Sequence, residues 1–233
     1  KRLRFQLGQK DRFLDGLKQS GRYLPLMEEI FKAAGLPLEL TRLPFVESSF
    51  NTRARSKVGA SGIWQFMRST GRLYMRVDDT VDERLDPFRS TEAAAQLLAN
   101  NYRALGTWPL AITAYNHGTA GMRRARDTMG TDDFAVIARR YDGRAFGFAS
   151  RNFYPSFLAA LTIDQNPERY FGKIERAAPL RFYEIQLPTP VAIDQIERRI
   201  GLSRPLVREL NPALRPAVWS GARKVPRGYR LRV

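Results

Sequence analysis

The chain has 233 residues, 43% of them hydrophobic and 11% aromatic, which is enough apolar material for one medium domain plus a small module and too much for a disordered tail. The formal net charge is +16 at pH 7 and the pI about 10.7, so nucleic acid, an anionic membrane surface or an acidic wall polymer would all be attracted, although such a balance says nothing about fold. The absence of cysteine excludes disulfides, thiol nucleophiles and thiolate metal sites, and a single histidine, His117, cannot build a histidine-rich one.

No stretch approaches the roughly 18 uninterrupted apolar residues of a membrane span, and no export signal is visible at Lys1. Basic residues recur along the whole chain, as in Arg53, Arg55, Lys57 and again Arg123, Arg124, Arg126, a pattern shared by solvated surfaces and binding surfaces.

The first 170 residues read as a series of helices. Residues 23–34 place Leu24, Met27, Ile30 and Phe31 at helical spacing and stop at Gly35. Residues 37–49 predict a second helix, kinked or shortened by Pro44. Residues 51–62 are polar and glycine-containing, a loop by composition. Helical spacing resumes over 63–75 through Phe66, Met67, Leu73 and Tyr74. Ser90 is the expected N-cap of a helix over 91–105, Thr107 of the next, which ends near His117-Gly118; Thr131 precedes another helix and residues 153–163 form a further one. Pro167, Gly172 and Pro179 mark 166–180 as a linker. Beyond it, a strand over 181–186, helices over 193–200 and 205–210 and a strand over 229–233 predict a compact α+β module.

Three segments carry chemistry. In Phe45-Val46-Glu47-Ser48-Ser49-Phe50 a carboxyl sits near a helix end between apolar neighbours. Desolvation and the negative end of the helix dipole both raise its pKa, and a glutamic acid protonated near neutral pH can protonate a leaving oxygen. The plainer role is an ordinary surface glutamate. In the segment from Ser56 to Met67, two glycines allow close backbone approach, Gln65 can hydrogen-bond a sugar amide and Trp64 offers a flat face, unless that ring is core. In Ala114-Tyr115-Asn116-His117-Gly118, Tyr115 and Asn116 have the reach for a carbohydrate, while the glycine serves equally as a helix cap.

In this order and spacing, Glu47-Ser48, Gly62-Ile63-Trp64-Gln65 and Ala114-Tyr115-Asn116 resemble the lytic transglycosylase domain of the soluble-lytic and goose-type lysozyme group, in its membrane-bound, D-type branch. Leu36 to Leu40 and Asp82 to Pro87 resemble it too, so the likeness covers roughly residues 20–165. The resemblance implies a mainly α fold: a lysozyme-like helical catalytic domain over 1–170, with an N-terminal helical extension over 1–35, followed by a small α+β module of βααβ order over 178–233. It implies Glu47 as catalytic acid, with Ser56, Gln65, Met67, Tyr115 and Asn116 lining the sugar groove. The family also has a late tyrosine in an Arg-Asn-Tyr setting; here Arg151-Asn152-Phe153-Tyr154 offers Tyr154 one position later. The 178–233 module resembles LysM, a peptidoglycan-binding unit, through Leu210 to Leu214 and Val225 to Leu231, but Pro188 to Val191 replaces its usual Gly-Asp opening. Glycan binding and bracing of the catalytic domain both remain open for it.

A single carboxyl suits the transglycosylase reaction. Glycosidases that use water or a covalent intermediate carry two; Asp82, Glu83 and Asp86 are the nearest others and read as helix-capping residues. The implied activity is cleavage of the MurNAc-β-1,4-GlcNAc bond of peptidoglycan with closure of a 1,6-anhydromuramic acid ring. A muramidase on the same fold and a non-catalytic wall-binding protein are the alternatives. Expected partners are peptidoglycan glycan strands and, peripherally, the envelope; the expected location is periplasmic or at the outer membrane. No cofactor, metal or specific nucleic acid is implied, and a monomer is expected.

Overall fold

The computed structural model describes residues 9–233. The first eight residues of the extension expected over 1–35 lie outside the described residues. In chain order come α1 (Lys10–Ser20), α2 (Leu24–Ala33), a 3-10 turn (Leu38–Arg42), α3 (Leu43–Glu47), α4 (Arg68–Gly71), a second 3-10 turn (Glu83–Leu85) and α5 (Pro87–Leu105). Five helices follow: α6 (Trp108–His117), α7 (Thr119–Met129), α8 (Phe134–Arg140), α9 (Phe148–Gln165) and α10 (Pro167–Phe171). The last stretch holds β1 (Glu184–Gln186), α11 (Ile193–Ile200), α12 (Arg204–Leu210), α13 (Pro216–Trp219) and β2 (Arg230–Arg232). The fold is mainly helical.

These elements form two compact units, each assembled from two separated stretches. One comprises the residues up to Phe50 together with Ala94–Ala177; the other comprises Asn51–Ala93 together with Ala178–Val233. The division by chain order, 1–170 and 178–233, sets residues 51–93 with the first part, whereas the compact units set them with the second.

In the first unit α6 lies between α7 and α9, and α3 also lies against α9. Leu110 and Ala114 of α6 meet Met122, Ala125, Ile137 and Phe146 in one buried cluster. Two buried polar side chains, Asn101 and Asp164, are engaged at both of their polar atoms. The buried Asn101 donates to the Ala111 carbonyl at 3.1 Å and accepts from Thr119 at 2.7 Å. Asp164 accepts from Arg42 at 3.0 Å and from Arg176 at 2.7 Å, and Arg42 also pairs with Glu28. Arg176 thereby fixes the stretch read as a linker, which also contains α10.

In the second unit β1 pairs antiparallel with β2, Ile185 opposite Leu231. Helices α11, α12 and α13 stand between them in sequence, α13 being one short turn more than expected. The core gathers Ile193, Ile196, Val207, Leu214, Val218 and Val225 around Val81.

Several local expectations need correction. The helix expected over 37–49 is a 3-10 turn followed by α3, because Pro44 fits the first turn of a new helix, where its missing N–H is not needed. Of the helix expected over 63–75 only Arg68–Gly71 is helical. Upstream, Gly62 and Gln65 take φ of +80° and +49°, which no helix tolerates, and Ser61 bridges Arg55 and Phe66. The cap of α5 is Asp86 rather than Ser90: its carboxylate accepts from the Phe88 and Arg89 amides at 2.9 and 3.0 Å, and the Ser90 hydroxyl bonds the Asp86 carbonyl. Likewise Asp133 caps α8, with the Thr131 hydroxyl accepting from the Asp133 amide. Thr107 stands at the N-cap of α6, but its buried hydroxyl has no partner among the described residues.

Candidate active site

Glu47 is the last residue of α3. Immediately after it the chain reverses through Ser49 and Phe50, whose φ values of 51° and 57° lie in the left-handed region that residues with a side chain seldom occupy. The surroundings over-determine this turn. The Ser48 and Phe50 amides both donate to the Pro44 carbonyl, at 3.0 and 3.3 Å. The Phe50 ring is buried edge-on to Phe45 at 4.7 Å between centroids, and Phe45 stacks on Phe13 of α1 at 4.9 Å. Gly16 of α1 comes so close that a Cβ there would stand 2.8 Å from the Ser49 carbonyl oxygen. Nothing in the local text of the 45–50 segment announces Gly16, whose signal is only a glycine inside a helical pattern.

Burial raises the Glu47 carboxyl from an ordinary 4.5 to about 8. No cation or donor among the described residues offsets that effect. At pH 7 such a group is ~90% protonated. Tyr115, near the end of α6, is the nearby titratable group: burial, and then the charge of Glu47, push its phenol well above the usual range, so it stays a neutral hydroxyl.

Asn116 is the next residue on α6, about 100° around the helix, and is exposed. Its amide oxygen faces the buried Ser150 hydroxyl at 3.5 Å, and that hydroxyl lies 3.0 Å from His117 Nδ1. His117 stands edge-on to Phe146, and Gly121 leaves the room its ring needs. Burial, then the charge of Arg124, lower its pKa.

On α9 the structure separates the two adjacent aromatics of the late-tyrosine segment. Phe153 is buried with its ring parallel to Tyr115, centroids 6.5 Å apart. Tyr154 instead meets Phe134 edge-on at 5.3 Å and Phe157 at 6.4 Å. No signal in the sequence points to Ser150, whereas Phe153 stands in the slot of the family's late tyrosine with Tyr154 beside it; the rotation of α9 brings Phe153 to Tyr115 and Ser150 to Asn116.

The other three singled-out residues lie in the second unit. Ser56 closes a tight turn, its hydroxyl accepting from the Ala60 amide at 3.0 Å. Gln65 donates to the Gly62 and Ala54 carbonyls at 2.7 and 3.3 Å, so its amide nitrogen shapes the loop and only its oxygen is left to face a ligand. Met67 is exposed just before α4. Trp64 is fully buried and donates to the Thr91 hydroxyl at 2.8 Å, so its ring is core rather than groove. Gly62 is a glycine because the Arg84 carbonyl occupies the place of a Cβ, 1.8 Å away, as well as for its φ.

The remaining carboxylates of the 82–86 stretch have structural work. Asp82 is held bidentately by Arg84, 2.8 Å on each side. Asp86 caps α5 and pairs with Arg232. Glu83 accepts from the Arg76 amide at 2.7 Å, with its pKa raised by burial. No cluster of three His, Asp or Glu side chains able to hold a metal exists among the described residues, nor is any helix long and apolar enough to cross a membrane.

The chain is 29% identical over 194 residues to the membrane-bound lytic murein transglycosylase D of Escherichia coli strain K12, and equally to that of the O6:H1 strain CFT073. The match takes in 79% of this chain and 41% of those proteins, so the chain spans about two fifths of the curated relatives it matches. An inactive mutant of the lytic transglycosylase Slt from Pseudomonas aeruginosa, solved by X-ray crystallography, superposes with a TM-score of 0.50 at 20% identity over 65% of this chain and 26% of that one, a likeness of fold. The family model of the Transglycosylase SLT domain matches residues 28–137. Glu47, Gln65, Tyr115 and Asn116 all lie within the residues that match the Transglycosylase SLT domain.

Proposed function

We propose that this chain is a peptidoglycan lytic transglycosylase, cleaving the MurNAc-β-1,4-GlcNAc bond with formation of 1,6-anhydromuramic acid, and that Glu47 is its single acid and base. The observation that carries this reading is the Glu47 carboxyl at the end of α3, directly before the clamped left-handed turn, where burial raises it to about 8. A carboxyl protonated at neutral pH delivers its proton to the glycosidic oxygen as the bond to the anomeric carbon lengthens. The oxocarbenium-like centre that develops is stabilised by the muramic acid's own N-acetyl group. Glu47, now ionised in a site that disfavours its charge, takes the proton of that sugar's C6 hydroxyl, and the oxygen closes on C1. Each proton lost is regained, and no water enters.

In this reading Ser56, Gln65, Met67, Tyr115, Asn116 and Tyr154 line the sugar groove, with Phe153 packing behind Tyr115. The neutral Tyr115 phenol supplies a hydrogen bond that does not compete for Glu47's proton. Peptidoglycan strands are the partner, the protein works as a monomer in the periplasm or peripherally at the outer membrane, and the excess of basic residues draws it to the carboxylates of wall peptides. The order β1, α11, α12, α13, β2, in which α13 is one short turn, supports reading 178–233 as a LysM-like module.

Mass spectrometry of purified peptidoglycan incubated with the protein tests the reading. Muropeptides ending in 1,6-anhydromuramic acid, lighter by one water than hydrolysis products and absent with Glu47→Gln, are expected. Reducing-end products would make the protein a muramidase, and intact strands with both proteins would make it a wall-binding module.

A further inference from the structure

The core of residues 178–233 takes in one residue from outside that stretch. Val81, fully buried, sits inside their apolar cluster against Ile193, Val207, Leu214 and Val218. The backbone is joined there as well: Val81 forms an antiparallel bridge with Leu214, the Asp82 amide donates to the Ala213 carbonyl at 2.8 Å and the Arg215 amide to the Thr80 carbonyl at 3.0 Å. A separately folded binding module needs no such strand from elsewhere in the chain.

A second junction is ionic. Arg232 of β2 is 2% exposed and grips Asp86 bidentately at 2.6 and 3.0 Å. Its guanidinium lies between the rings of Phe88 and Phe182, 4.9 Å from each centroid. Its backbone is pinned from both sides by the buried Asn211 side chain, at 2.8 and 2.9 Å. Burying a charged pair costs desolvation that its attraction only partly returns, so such a pair is better evidence of a fixed geometry than of stability.

Between Val81 and Asp86 stands Arg84, which carries the constraint onward. Besides its fork on Asp82, Arg84 Nη1 donates to the Gly59 carbonyl at 3.0 Å and the Phe66 carbonyl at 3.1 Å, the two sides of the loop that bears Ser56 and Gln65. Gly62 of the same loop rests on the Arg84 carbonyl. Thus both ends of the 81–86 stretch are fixed by 178–233, and its middle holds the 56–66 loop.

We infer that residues 178–233 serve as the brace of the 56–66 loop, with Arg232 and Arg84 as positioning residues. The activity part of this inference rests on the transglycosylase reading; the structural part does not. The module acts through Asp86, Val81 and Arg84 to fix where Ser56, Gln65 and Met67 stand.

The experiment is hydrogen exchange on the full chain, resolved by amide, with cleavage assayed alongside. In the unmodified protein the Ser61 and Gly62 amides and the Val225 and Val233 amides are expected to open as one cooperative unit, with the same denaturant dependence. In Arg232→Lys, which keeps the charge and loses the fork, exchange at Ser56, Ser61 and Gly62 is expected to rise about tenfold, while Ala111 and Met122 of the first unit keep their rates. The kcat/KM on soluble glycan strands should fall about tenfold, as expected when groups that position a substrate shift, with retention on insoluble peptidoglycan unchanged. Opening of 225–233 at low denaturant with 56–62 still protected would overturn the inference. So would lost retention with undiminished cleavage, which would make the module a glycan binder. If the unmodified protein makes no anhydro products, the transglycosylase reading fails by itself, and the exchange result alone decides the brace.

Discussion

The two units pair their buried aspartates alike, Asp164 of the first with Arg42 and Arg176, but the first unit also holds Glu47, which is treated in the opposite way. In the second, Asp82 and Asp86 each lie in the fork of a buried arginine, and every oxygen has a donor. In the first, Glu47 has burial and no offsetting charge. The residue types are nearly the same, so the difference lies in what the surroundings supply. A paired carboxylate stays ionised and fixes geometry; a solitary one is driven to hold a proton and is ready to give it away. The contrast separates architecture from chemistry without reference to any relative.

The comparison breaks most visibly at Glu47 itself. Glu47→Gln is expected to lower anhydro-product formation by at least ~10²-fold, the range general acid–base groups contribute, while leaving the fold intact; product release measured by mass spectrometry checks it. Asp82→Asn is expected to act first on the fold. Leaving Arg84 with an uncompensated buried charge is expected to cost about 3–5 kcal/mol in a denaturant melt, and a loss under 1 kcal/mol would mean that the pair contributes little.

The pH dependence sharpens the same contrast. Unfolded, Glu47 titrates near 4.5; folded, near 8. Between these values the folded state keeps a proton the unfolded state has lost, so this contribution to stability is fully present below about pH 4.5 and is lost as pH rises through about 8. Glu47→Gln is therefore expected to melt like the unmodified protein in acid and above it in mild alkali, by about 5 kcal/mol at most. Parallel stability curves for the two proteins would place Glu47 in the ordinary carboxylate range.

Smaller effects probe the clamp. Gly16→Ala presses a methyl on the Ser49 carbonyl and is expected to cost about 1–3 kcal/mol, as overpacking does, with activity falling because the Glu47 turn must shift. A thermal melt paired with a kcat measurement separates the two losses. Ser150→Ala removes the hydroxyl that faces Asn116 and is expected to cost about 1 kcal/mol, seen as a several-fold rise in KM with little change in Tm.

Much of this was legible in the text because it depends on neighbours in sequence. The apolar run of α2, the limits of α11 and the placing of Glu47 at a helix end follow from spacing and from Pro44. What escaped depends on partners far away along the chain. The 63–75 segment has helical spacing, yet Trp64 bonds Thr91 and Gly62 sits on the Arg84 carbonyl, so the tertiary structure overrode the periodicity. The left-handed Ser49 and Phe50 have no glycine to announce them; Phe45, Pro44 and Gly16 impose the turn. Phe153, rather than Tyr154, lies beside Tyr115 because adjacent residues on α9 point about 100° apart. Arg232 and Asp86 are 146 positions apart, and no local pattern links them.

The second unit's construction from Asn51–Ala93 and Ala178–Val233 has a consequence in time. As the chain is synthesised, Val81, Arg84 and Asp86 emerge long before Leu214 and Arg232. At ~5–20 residues per second the delay is on the order of ten seconds. Through that interval Val81 has no apolar nest and Asp86 no guanidinium, so the loop that bears Ser56 and Gln65 stays unset until the last fifth of the sequence is made. A nascent chain arrested before Leu214 should accordingly be cut by protease within 51–93.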